Sequence, residues 1–158
     1  MRLLPHALLA GLLPACDAIH LPAITPGVTR AAEVRERLGE PGFIHQDPDG
    51  AVVWEYSRQP AGIHCYMIRF GPGDIVESVD QVLTQTRFAL VQPGQTPEDI
   101  RRLYGQPASR QIFHNLGEEV WIWKVGGDLP MEEYRFLVHF DLASGRVRRA
   151  SQRIEPRG

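Results

Sequence analysis

The sequence predicts an α+β fold of two tandem modules, each with short helices on one face of an antiparallel sheet. Three observations predict it. A set of residues recurs at a spacing of 66 or 67, helix start and stop signals fall at matched positions in both copies, and alternating apolar runs follow each helix. At 158 residues the chain has room for one ordinary domain or two small ones, and 43% hydrophobic with 23% charged side chains exclude a mainly disordered chain, a collagen-like fibre or a coiled coil.

The helices come first. Glu33, Val34, Arg35, Leu38, Gly39 and Pro41 return 66 residues later as Asp99, Ile100, Arg101, Tyr104, Gly105 and Pro107. Pro26, Gly27, Thr29, Trp54 and Tyr56 return 67 later as Pro93, Gly94, Thr96, Trp121 and Trp123, while Phe70 and Phe140 stand 70 apart after a longer second loop. In copy two Thr96 suits the N-cap, Pro97 the first helical position, and Glu98 and Asp99 the positive end of the helix dipole. Ile100, Leu103 and Tyr104 then share one face. Gly105 and Pro107 end the helix, as Gly39 and Pro41 do in copy one. A further helix is expected over 84–91.

The strands follow from alternation. Asp47, Pro48, Asp49 and Gly50 make a turn, and strands are expected over 52–57, 63–70 and 75–83, with 43–46 a short first one. Copy two repeats this over 120–125, 134–140 and 146–154. Tyr66, Ile68 and Phe70 share a face that matches Phe136, Val138 and Phe140, and that face should be core. The modules are placed at 27–83 and 84–158. Units this small are marginal alone, so the two should bury a shared interface.

Residues 1–15 read as an export leader: Arg2, an apolar stretch over 7–13, and small Ala15 before Cys16. The segment Leu13, Pro14, Ala15, Cys16 resembles a bacterial lipobox, in which the cysteine is acylated and becomes the new N-terminus. Residues 16–26, with Pro22 and Pro26, would be a tether. The expectation is a lipid-anchored, periplasm-facing protein of the bacterial envelope. The outer membrane is the first choice, and Asp17 after the cysteine leaves the inner membrane open.

Catalysis needs converging groups, and none stand at a recognisable spacing. Gly71-Pro72-Gly73 lacks the rest of a phosphate loop, Gly-x-Ser-x-Gly is absent, and the six histidines show no zinc spacing. No enzyme activity, cofactor or metal is expected. A net charge of −2 also argues against nucleic acid as a partner.

The binding candidates are aromatic and basic. Trp54, Tyr56, Trp121 and Trp123 lie on corresponding strand faces, either as core or as anchors for a protein partner. Charge is uneven: residues 16–86 carry five basic against ten acidic side chains, whereas 87–158 carry eleven against nine. Arg146, Arg148, Arg149 and Arg153 crowd the last strand, either as a solvated edge blunted by charge or as a contact for anionic lipid or an acidic partner. Cys65, matched with Arg135, is read either as a partly exposed thiol or as a small strand filler.

The ordered marks Pro-Gly, Thr, acidic-Val/Ile, Gly-x-Pro, Trp-x-aromatic and Phe before a glycine turn resemble the SmpA/OmlA, or BamE-like, lipoprotein domain. Here they are Pro93-Gly94, Thr96, Asp99-Ile100, Gly105-Gln106-Pro107, Trp121-Ile122-Trp123, Phe140 and Gly145. The first copy has Pro26-Gly27, Thr29, Glu33-Val34, Gly39-Glu40-Pro41, Trp54-Glu55-Tyr56, Phe70 and Gly73. The resemblance implies a non-catalytic envelope lipoprotein that binds envelope proteins, as an accessory to the β-barrel assembly machine. The doubled module is similar in architecture to β-lactamase inhibitor proteins, which implies the alternative of an inhibitor of a periplasmic or secreted hydrolase.

Overall fold

The computed structural model describes residues 21, 24–126 and 133–154. Two four-stranded antiparallel sheets are present, each with short helices, so the α+β architecture in two tandem modules is the observed one. Module one runs α1 (Ala31–Leu38), β1 (Phe43–Gln46), β2 (Val52–Ser57), β3 (Cys65–Phe70) and β4 (Val76–Gln81). Module two runs α2 (Gln85–Phe88), α3 (Pro97–Tyr104), β5 (Ser109–Phe113), β6 (Glu118–Gly126), β7 (Glu133–Asp141) and β8 (Val147–Ile154). Each sheet keeps its strands in chain order.

The repeat extends to single hydrogen bonds. The amide of Gly27 donates to Val76 O and that of Gly94 to Val147 O, both at 2.8 Å. Returning bonds run from Val76 N–H to Thr29 O and from Val147 N–H to Gln95 O, the second acceptor one residue earlier in the repeat. The same bulge interrupts both sheets, at Arg69/Phe70 and at His139/Phe140. Gly39 and Gly105 close the two helices at φ 80° and 71°, a region that glycine enters without a Cβ clash.

The differences from expectation have local causes. The helix expected over 84–91 is one turn, since Pro93 disfavours helical geometry at Gln92 and Phe88 is pinned against Phe136, centroids 3.9 Å apart. β4 stops at Gln81, whose side chain accepts from Leu83 N–H at 2.8 Å and turns the chain inward. β5 was not expected. All five of its residues are exposed, so no period of two marks it, and it is held by pairing with β6.

Two cores result. Val34, Trp54, Tyr56, Ile68, Phe70 and Val76 form the smaller one between α1 and one face of the first sheet, with Ile24 packed against it. The larger core gathers Ile100, Tyr104, Trp121, Trp123, Phe136, Val138 and Phe140 from module two. It also takes in Val53, Cys65 and Met67 from the opposite face of the first sheet. That sheet is therefore covered on both faces, by its own helix and by its neighbour.

Candidate functional site

Trp54, Tyr56, Trp121 and Trp123 are 7%, 6%, 5% and 0% exposed, which puts all four in the core. Their recurrence has a physical reason in two of them. The Tyr56 hydroxyl donates to Gly39 O at 2.9 Å, and Trp123 Nε1–H donates to Gly105 O at 3.3 Å. The second aromatic of each Trp-x-aromatic pair thus satisfies the carbonyl at the end of its module's helix, where the helix itself supplies no donor.

Between the modules lies a charge that alternation alone would place outside. Glu55 occupies the middle of Trp54-Glu55-Tyr56, is 2% exposed, and projects toward module two. Its Oε1 accepts from Gln106 N–H at 2.8 Å, its Oε2 lies 2.9 Å from His45 Nε2, and Arg101 Nε stands 3.7 Å away. The His45 bond requires a proton on Nε2. Burial pushes the carboxyl up, but the His45 bond, the Gln106 amide and the Arg101 charge together bring it below the ordinary glutamate value. A buried carboxylate held this way joins β1, β2 and the end of α3.

Cys65 belongs to the same junction. It is fully buried, so the reading as a partly exposed thiol is corrected: the face it shares with Glu55 is covered by module two. Burial raises its pKa well above the usual thiol range, and Glu55 adds to the effect, so the reactive thiolate is suppressed.

Where β1 meets α3 a groove of about 460 Å³ opens to the surface. Phe43, Ile44, His45 and Gln46 form one wall, Pro97, Glu98, Arg101 and Arg102 the other, and Trp121 also lines it. Phe43 and Ile44 are 45% and 51% exposed. The Arg101 guanidinium lies 4.4 Å from the Phe43 ring centroid, and that of Arg110 lies 4.0 Å from Trp121's. Of the four aromatic candidates, Trp121 alone lines this groove.

The arginines of the last strand, and Arg146 just before it, are largely engaged within module two. Arg146 donates to Gly94 O, Arg148 pairs with Asp141 and donates to Leu116 O, and Arg149 lies 3.4 Å from Glu118. Arg153 is exposed and also has a partner. Beside them Glu118 Oε2 lies 3.0 Å from His139 Nδ1, and His139 Nε2 lies 2.9 Å from Ser151 Oγ. The order carboxylate, imidazole, hydroxyl is that of a nucleophile relay. Ser151, however, sits mid-strand opposite Leu137. The amides beside it lie in the sheet plane while its hydroxyl stands off the face, so they do not converge on a developing oxyanion. The His139 bond, with Arg149 and Arg148 behind it, overcomes burial and holds Glu118 below the usual carboxylate range. The relay reads as a polar seam across β6, β7 and β8.

Among the described residues no group of three or more His, Cys, Asp or Glu side chains could hold a metal ion, and no helix is long and apolar enough to cross a membrane. Cys16 and the leader lie outside the described residues. Sequence reasoning missed Glu55 and His45. The available signal was the mismatch between copies, since the residue inside the aromatic pair is Glu55 in the first and Ile122 in the second.

No family model matches the chain, and no curated protein matches it. Among solved structures, a DUF4309 family protein of Bacillus subtilis overlaps 84% of this chain and 83% of its own, with 12% identity and a TM-score of 0.32. A candidate β-lactamase inhibitor protein of Streptococcus mutans overlaps 79% of this chain and 82% of its own, with 10% identity and a TM-score of 0.31. Overlaps this loose carry no function across.

Proposed function

We propose that this chain is a protein-binding, non-catalytic lipoprotein of the bacterial envelope, anchored through Cys16 and facing the periplasm. The observation that carries the binding role is the groove at the junction. Two modules are tied together by a buried carboxylate, and beside that tie an apolar edge strand stays half exposed opposite a wall of arginines. Rigid surfaces of this make-up, with exposed apolar side chains rimmed by cations, suit recognition of another protein.

Two partner classes are in play. The ordered marks shared with the BamE-like domain favour an accessory role in outer-membrane protein assembly or envelope integrity, with membrane-bound partners. The doubled modules, joined through a common core, favour an inhibitor of a periplasmic or secreted hydrolase, since a two-module surface held by buried contacts can cover an enzyme cleft with little ordering cost. On either reading Arg153 and its neighbours are available to anionic lipid or an acidic partner only as far as their internal pairs allow.

The test is brief crosslinking and affinity capture of tagged full-length protein from gently solubilised envelopes, with Cys16→Ala alongside. Recovery of barrel-assembly subunits by the lipidated form alone is expected on the accessory reading. Recovery of one soluble hydrolase by both forms, with its activity lost at a stoichiometric ratio, would select the inhibitor. Recovery of no partner by either form would overturn the binding role.

A further inference from the structure

The four sheet edges of the described chain are β1, β4, β5 and β8. Natural edges are protected from pairing with stray strands, most often by charge. β4 carries Glu77 and Asp80, β5 carries Arg110, and β8 carries Arg148, Arg149 and Arg153. β1, with the sequence Phe43-Ile44-His45-Gln46, carries no acidic residue, lysine or arginine, and its two apolar residues are about half exposed. It is also the edge that borders the groove.

The backbone of that edge is available. Asp47 N–H donates to Ala51 O at 2.9 Å, closing the β1–β2 hairpin. Alternation back from that pair directs the amide and carbonyl groups of Ile44 and Gln46 away from β2, toward the groove. Of the arginines met there, Arg102 is held by Glu98 at 2.6 Å and Arg101 lies 3.7 Å from the buried Glu55, while Arg110 rests over the groove-lining Trp121, whose Nε1–H donates to Glu119 at 2.8 Å. Arg110 has no carboxylate within ion-pair distance among the described residues and rests on the Trp121 ring.

We infer that the free edge of β1 takes an extended segment of a partner protein as a fifth strand of the first sheet, with an acidic side chain of that segment directed at Arg110. Main-chain bonds to Ile44 and Gln46 supply affinity that is indifferent to sequence. Apolar residues of the segment pack on the face of Ile44, its acidic residues share the opposite face with Phe43 and the arginines, and Arg110 selects acidic over basic neighbours. The inference rests on the protein-binding reading and names the chemistry of the partner at that site.

The experiment titrates the full chain in detergent with three fluorescent octapeptides. One alternates valine and glutamate, one alternates valine and lysine, and the third is the acidic peptide N-methylated at every second amide. The acidic peptide is expected to bind about tenfold more tightly than the lysine peptide, and N-methylation to abolish binding. Ile44→Pro should abolish it too, because the amide it removes faces outward and the β1–β2 ladder keeps its bonds. Arg110→Gln should weaken the acidic peptide by about fivefold and, by removing a like charge, tighten rather than weaken the lysine peptide. Equal binding of both charges, no binding of either, or a titration untouched by Ile44→Pro overturns the inference. So does self-association of the chain that Ile44→Pro reverses, which would make the occupant a second copy. In the envelope capture, a partner retained by Ile44→Pro overturns this inference and leaves the binding role standing, whereas a wild-type chain with no partner overturns the binding role itself.

Discussion

Glu55 concentrates the electrostatics of the junction on one carboxylate. Its neighbours hold its pKa below the unfolded value of about 4.3, so it stabilises the fold at pH above that value, and the contribution fades as pH falls through the lower folded value. Glu55→Gln keeps the shape but loses the charge facing His45 and Arg101. It should cost about 3 kcal/mol at neutral pH, since it leaves buried donors without their anion. Urea unfolding followed from pH 7 down to pH 3 checks this: wild type should lose stability over the acid limb, and Glu55→Gln should lose measurably less. Parallel pH profiles for the two proteins would remove Glu55 from the account. Nothing in the alternation of 52–57 marks this residue as buried. A glutamate between two core aromatics reads as the solvent side of a strand, and only the covering module makes that side an interior.

At the scale of elements, the two helices show how one pattern is executed with different strength. In α3 Thr96 Oγ1 accepts from Asp99 N–H at 3.1 Å while Asp99 Oδ2 accepts from Thr96 N–H at 2.8 Å, a complete capping box. In α1 the cap position is Arg30, whose amide donates to Glu33 Oε2 at 2.9 Å. Arginine has no oxygen with which to return the bond, so half the box is missing. Thr96→Ala should therefore lower stability by about 1 kcal/mol, whereas Arg30→Ala should change it by less than half as much. Chemical denaturation of the two variants beside wild type decides it, and equal losses would mean the cap is not what separates the helices. These helices were legible because caps, proline and glycine act within a few residues of themselves. β2, β3, β6 and β7 were legible through their shared core face, and β4 ends short of expectation where the Gln81 side chain redirects the chain. β5 was not, because an exposed edge strand is specified by its partner β6 rather than by its own pattern.

At the scale of the molecule, the larger core is not the property of one module. Val53, Cys65 and Met67 are residues of the first sheet, yet they pack with Ile100, Tyr104 and Trp123 of the second module. The loop of module one makes a further tie, since the Gln59 side-chain amide donates to Lys124 O at 2.7 Å and accepts from Lys124 N–H at 3.1 Å, beyond the reach of β5. Repeat spacing alone shows two modules. That they share a core follows from sheet faces the repeat leaves unassigned, and from the contact of Gly105 with the first sheet. A Cβ at Gly105 would stand 2.6 Å from Cys65 Sγ, on backbone already at positive φ. Gly105→Ala should therefore press the modules apart and destabilise the chain by about 2–4 kcal/mol, overpacking and backbone strain acting together. If the core is common property, the loss appears in one transition: tryptophan fluorescence and far-UV circular dichroism should fall together at a lower denaturant midpoint. Trp54 reports on module one and Trp121 and Trp123 on module two, so two separated transitions in the variant would show modules that fold independently. In the same way, residues 84–158 expressed alone should show no cooperative melt, because the apolar surface that Val53, Cys65 and Met67 cover would face water. A sharp thermal transition in that fragment would refute the shared core.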